Sequence, residues 1–100
     1  MSRAINPMRG DVALALGDRR YRLRLTFGAL AEIETGLGVS SLTDLAVRLR
    51  ALSVADMTTV LCALLRGGGE DEAAAQVHAL PAKAGVAASA IAAAFREAFA

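Results

Sequence analysis

The chain contains no tryptophan, one cysteine, two prolines and four aromatic residues, Tyr21, Phe27, Phe95 and Phe99, in a length of 100. A lone thiol, Cys62, makes no internal disulfide, which excludes a cystine-stapled secreted scaffold. With His78 as the sole histidine, the four ligands that a zinc site needs at recognisable spacing are missing too. The start, Met1 to Gly10, is polar, carries Arg3 and Arg9, and lacks the hydrophobic run of a secretory signal. The most apolar stretch, Ala84 to Phe95, is about a dozen residues dominated by alanine, whereas a membrane-spanning helix needs ~20 strongly apolar ones. A single domain in the cytoplasm is the expectation.

What is present is aliphatic. Hydrophobic residues make up 55%, but 23 of them are alanine and 14 leucine, so the expected core is thin and leucine-based. Burial against a partner would help such a small domain, because net stabilities are marginal. The net charge is +1, too small for a strong nucleic-acid field, yet it is unevenly placed. Residues 1–24 hold six arginines against two acids, while residues 25–100 hold five basic against eight acidic groups.

Two period-two runs open the chain. Val12, Leu14 and Leu16 alternate with alanines, and Tyr21, Leu23 and Leu25 alternate with Arg22 and Arg24, with Gly17-Asp18-Arg19-Arg20 between them. This pattern predicts a β-hairpin over 11–25. A two-residue loop at Gly17-Asp18 pairs Leu14 with Tyr21, and a four-residue loop pairs Leu14 with Leu23; both keep the apolar sets on one face.

From Thr26 the pattern becomes helical. Thr26 is a plausible N-cap for a helix with Phe27, Leu30 and Ile33 as its stripe, stopping near Gly36 and Gly38. Ser40 or Ser41 caps a second, with Leu42, Leu45, Ala46 and Leu49 on one face. Ser53 caps a third with Asp56 at N3, followed by Val54, Met57, Val60, Leu61, Leu64 and Leu65 as its stripe. The run Gly67-Gly68-Gly69 is then a flexible connection with Gly67 as C-terminal cap. Glu70, Asp71 and Glu72 suit the positive end of a fourth helix reaching about Leu80, before Pro81. A last helix starts at Ala82 or Val86, with Ala87, Ile91, Phe95, Ala98 and Phe99 on one side. The expectation is an α+β fold: a tail over 1–9, then one domain over 10–100, hairpin first and four or five short helices packed as a bundle.

Catalytic and metal constellations are weak. Glu32 and Glu34, two apart on a helix, point to different sides. The acids at 70–72 have a dipole explanation and no second ligand set. A Cys62–His78 pair lacks an orienting third group. The glycine run lacks the preceding strand and following Lys-Ser/Thr of a phosphate loop. Neither a metal nor a cofactor is expected.

Arg19, Arg20, Arg22 and Arg24 form the one basic patch. Tyr21 belongs to the opposite, apolar face, so no aromatic is expected within the basic surface, and a solvated strand face or an acidic protein partner is favoured over nucleic acid. Phe95 and Phe99, with Ile91, recur every four residues along the last helix. Two readings stay open: the stripe closes the core, or the final turn around Phe99 docks a partner helix or another copy.

The run Leu25-Thr26-Phe27-Gly28-Ala29-Leu30-Ala31-Glu32-Ile33-Glu34 is distinctive, as is Leu64-Leu65-Arg66-Gly67-Gly68-Gly69. Together with the opening Gly10-Asp11-Val12 hairpin and the alanine-rich closing helix, they make residues 9–100 resemble the small tail proteins of gene transfer agents and related phages. Gene transfer agents are phage-derived particles that package and deliver host DNA. Members of this family are labelled tail tube component or tail assembly chaperone. The resemblance implies a non-enzymatic protein that binds the tape measure protein, keeps it from aggregating and helps major tail protein subunits polymerise on it. It also leaves open incorporation in the particle tail and a homo-oligomer. No catalytic residue carries over. The partner-binding candidates remain Arg19, Arg20, Arg22, Arg24, Phe95 and Phe99. The competing reading is a small nucleic-acid-binding regulator that uses the arginine-rich hairpin.

Overall fold

The alternating runs form strands β1 (Asp11–Leu16) and β2 (Arg19–Arg24) of an antiparallel hairpin in a computed structural model that describes residues 10–100. The tail expected over 1–9 lies outside the described residues. The register pairs Leu14 with Tyr21 and Val12 with Leu23, so the loop has two residues. Gly17 sits at φ 64° and no residue other than glycine has positive φ among the described residues, which fits a type II′ turn with glycine at its first central position. Leu14 and Leu23 are fully buried, while Ala13, Ala15, Arg20 and Arg22 occupy the opposite, exposed face.

Five α-helices follow: α1 (Phe27–Leu37), α2 (Leu42–Leu49), α3 (Val54–Gly67), α4 (Asp71–Ala75) and α5 (Ala84–Ala98), with a 3₁₀ turn at Val77–Ala79. The expected side-chain caps close the first three, as Thr26, Ser41 and Ser53 accept the N–H of Ala29, Asp44 and Asp56, each at 3.0 Å. Helix α3 lies at the centre, against α1, β2, α4 and α5, and α5 also packs on β1. The core gathers Leu14, Leu23, Ile33, Leu45, Val60, Leu64 and Leu65, each worth roughly 1.5–3 kcal/mol on burial.

Several expected core positions turn outward. Phe27 is 92% exposed. At ~100° per residue it lies nearly opposite Ala29, which with Ile33 and Leu37 forms the buried stripe. Leu42, Ala46 and Val54 are also exposed. Peripheral α2 buries only Leu45, and the buried stripe of α3 begins at Val60, beyond its first turn. The fourth helix stops at Ala75 rather than near Leu80, and the last begins at Ala84, between the two starts considered. Helix α5 buries Ala87, Ala90, Ile91, Ala94 and Phe95, whereas Ala98 and Phe99 fall beyond the core.

The glycine run is no loose connection. Gly67 is the last helical residue and Gly68 the cap. A Cβ on Gly67 would overlap the carbonyl oxygen of Arg24, and one on Gly68 would overlap that of Arg22. Two missing side chains therefore let the end of α3 dock directly on the β2 backbone. Glu70 has a matching role beyond the helix dipole: its Oε2 accepts the Arg22 backbone N–H at 2.8 Å.

Candidate partner-binding site

The hairpin has two edges, and they differ. In a two-residue hairpin the residues flanking the loop exchange hydrogen bonds, and this alternates along the ladder, so every second residue directs its N–H and C=O outward. With Leu16 opposite Arg19, the outward residues are Asp11, Ala13 and Ala15 on β1, and Arg20, Arg22 and Arg24 on β2. The β2 edge is closed at Arg22 and Arg24 by Gly67, Gly68 and Glu70, and only Arg20, beside the turn, keeps its outward groups without a protein partner among the described residues. On the β1 edge, the N–H and C=O of Ala13 and Ala15 have no protein partner among the described residues. A groove runs along that edge, with Ala13 and Ala15 on one wall and Gly85, Val86, Ser89 and Ala93 of α5 on the other.

The four arginines do not act as one patch. Arg24 Nε lies 3.5 Å from the carboxylate of Asp11, which is almost completely buried. Arg19, two residues from Tyr21 and so on the same face of β2, stacks its guanidinium 5.0 Å from the ring centre, so an aromatic does contact one arginine of the basic set, while Arg22 and Arg24 lie on the other face. The half-buried Tyr21 leaves a ring face open to the side chain beyond the turn. Arg20 and Arg22 remain exposed, without an ion-pair partner among the described residues.

Phe95 and Phe99 split. Phe95 is 8% exposed and belongs to the core, while Phe99 is 62% exposed and stacks on it with ring centroids 6.4 Å apart. Phe95 also lines an apolar groove between Leu49–Leu52 and α5, with Met57, Ala88 and Ile91.

Cys62 and His78 border one depression with Glu32, but their side chains are not hydrogen-bonded to each other. The thiol donates to the Ala74 carbonyl at 3.4 Å and receives Arg66, which bonds Glu32 at 2.9 Å. Among the described residues no three of His, Cys, Asp and Glu gather as metal ligands, and no helix is long and apolar enough to cross a membrane.

Two features were missed from sequence. Arg48 ties three elements together: its guanidinium holds both Asp56 oxygens at 3.1 and 3.2 Å and donates to the Leu37 carbonyl at 2.8 Å. This hydrogen bond, aided by the Arg48 charge and by Ser53, holds the Asp56 carboxyl below its ordinary range. The open β1 edge was the other. Its signal was there in the small residues at 13 and 15, but an edge is identified only once the neighbours of both strands are known.

A hairpin laid on a helical layer, with grooves and an open strand edge at its surface, defines a small α+β domain suited to contact with other chains. The chain belongs to the family described as phage tail tube protein, GTA-gp10, whose model matches residues 9–100. No curated protein and no solved structure matches it. The family is structural rather than enzymatic, and the nucleic-acid reading gains no support from it.

Proposed function

We propose that the protein is a non-enzymatic tail assembly chaperone of a phage-like particle. It binds the tape measure protein, major tail protein subunits, or both, and holds them in a soluble state until the tail tube polymerises. Family membership across residues 9–100 carries this reading. The exposed β1 edge and the groove beside Phe95 support it as surfaces on which another chain can be held. Action in the cytoplasm before assembly, with or without retention in the finished tail, follows from the same role.

Co-expression with the tape measure protein tests it. The expected result is recovery of the tape measure in the soluble fraction and its co-purification with this chain. An insoluble tape measure and insoluble tube subunits, unchanged by co-expression, would contradict the proposal.

A further inference from the structure

We infer that the β1 edge binds an extended segment of a partner chain by strand addition, and that this segment alternates acidic with small apolar residues. The inference rests on the holding role proposed above and adds where and how the partner is held.

Three observations select the occupant. First, the outward N–H and C=O of Ala13 and Ala15 are unpaired among the described residues, and an extended backbone is what satisfies such a row. Second, α5 stands beside this edge and walls a groove with Gly85, Val86, Ser89 and Ala93. A strand placed there turns every second side chain toward α5, where small apolar residues fit. A Cβ on Gly85 would meet nothing within 4 Å, so the space is open on that side.

Third, charge decides the other set of side chains. Residues directly opposite share a face, so Arg22 lies beside Ala13 and Arg20 beside Ala15. The alanines are too short to screen the arginines from a strand added at their far side. Asp11, on the same face, is buried against Arg24, and Arg20 and Arg22 have no ion-pair partner among the described residues, the Glu70 carboxylate being bonded to the Arg22 backbone at the far edge. Acidic residues on the added strand complete that face. A second copy fits less well, since its β1 would bring alanines to this face and its β2 further arginines.

The direct test titrates the protein, followed by amide NMR, with a capped nine-residue peptide alternating glutamate and valine. Shifts centred on Ala13 and Ala15 are expected, with affinity at least tenfold above that of the lysine–valine counterpart. Ala13→Pro removes an outward N–H while leaving the β2 ladder intact, and Gly85→Leu fills the groove while favouring the helix. Each variant should lose the peptide by tenfold or more while keeping the wild-type fold, seen in the rest of the spectrum. The double change Arg20→Glu and Arg22→Glu should reverse the peptide preference. Absence of binding at millimolar peptide, shifts centred on the Phe95 groove, or a dimer that Ala13→Pro dissolves would each overturn the inference. In co-expression, a tape measure solubilised equally by wild type and Ala13→Pro would leave the holding role standing and remove strand addition. If no partner is solubilised, the holding role falls, and the peptide titration alone judges the edge.

Discussion

The two edges of the one hairpin are treated oppositely. Along β2, the end of α3 has given up two side chains so that Gly67 and Gly68 rest on the strand backbone, and Glu70 takes the Arg22 N–H. Along β1, the outward groups of Ala13 and Ala15 face a groove that α5 borders without filling. Both edges carry the same backbone chemistry, so the difference lies in what the rest of the chain brings to them. An exposed edge is a liability in a small domain, and closing only one of them leaves the other available for pairing with a second chain.

The most severe way to break the contrast is to pry the closed edge apart. Gly68→Val puts methyl groups where the Arg22 carbonyl now lies, and a cost of ~3 kcal/mol or more is expected, the upper part of the range for overpacking. Thermal melting should show a fall of well over 10 °C, since each 1 kcal/mol is worth roughly 4–8 °C in a domain this size.

The same division between closed and open runs along α5, and Phe95 and Phe99 measure it. Phe95→Ala should cost about 3 kcal/mol in denaturant unfolding, because it empties a buried site. Phe99→Ala should stay within ~0.5 kcal/mol of wild type, as for an exposed residue. If Phe99→Ala unfolds the domain, the last turn belongs to the core after all.

A milder change reopens the closed edge without overpacking it. Glu70→Ala removes the acceptor for the Arg22 N–H and should cost about 1 kcal/mol, with faster exchange of that one amide. The smallest effect lies away from the hairpin, at the Arg48–Asp56 pair that holds α2 to α3. Because the folded carboxyl is more acidic than the unfolded one, its contribution is present above the ordinary carboxylate pKa of 3.8 and is lost as pH falls through the lowered value. The gap between the melting temperatures of wild type and Arg48→Ala should therefore be largest near neutral pH and narrow in strong acid, leaving the pH-independent part that comes from the Leu37 hydrogen bond.

Local rules carried much of this fold. The alternation over Asp11–Leu16 and Tyr21–Leu25, with glycine at the turn, set out both registers, one of which is observed. The caps Thr26, Ser41 and Ser53 depend on residues three apart, so they too were readable in the chain. The glycine run was misleading because its purpose is a contact with a strand some 45 residues earlier, and nothing in its neighbours reveals that. Phe27 misled in the same way: apolar type suggested burial, whereas its phase on α1 set it nearly opposite Ala29 and well away from Ile33. Of the candidate site, the arginines and Phe99 were visible as residues, but the pairing of Arg24 with Asp11 and the open edge beside Ala13 exist only once the strands are placed.

Amide hydrogen exchange of the free protein at Ala13, Ala15 and Arg22 tests the inequality of the two edges most directly. These three residues direct their N–H groups out of the same hairpin, so global opening affects them alike. Arg22, bonded to Glu70, should exchange slowly, while Ala13 and Ala15 should exchange at rates close to those of exposed amides. Protection of Ala13 and Ala15 equal to that of Arg22 would mean that the β1 edge is already occupied in the free protein, and would contradict the account.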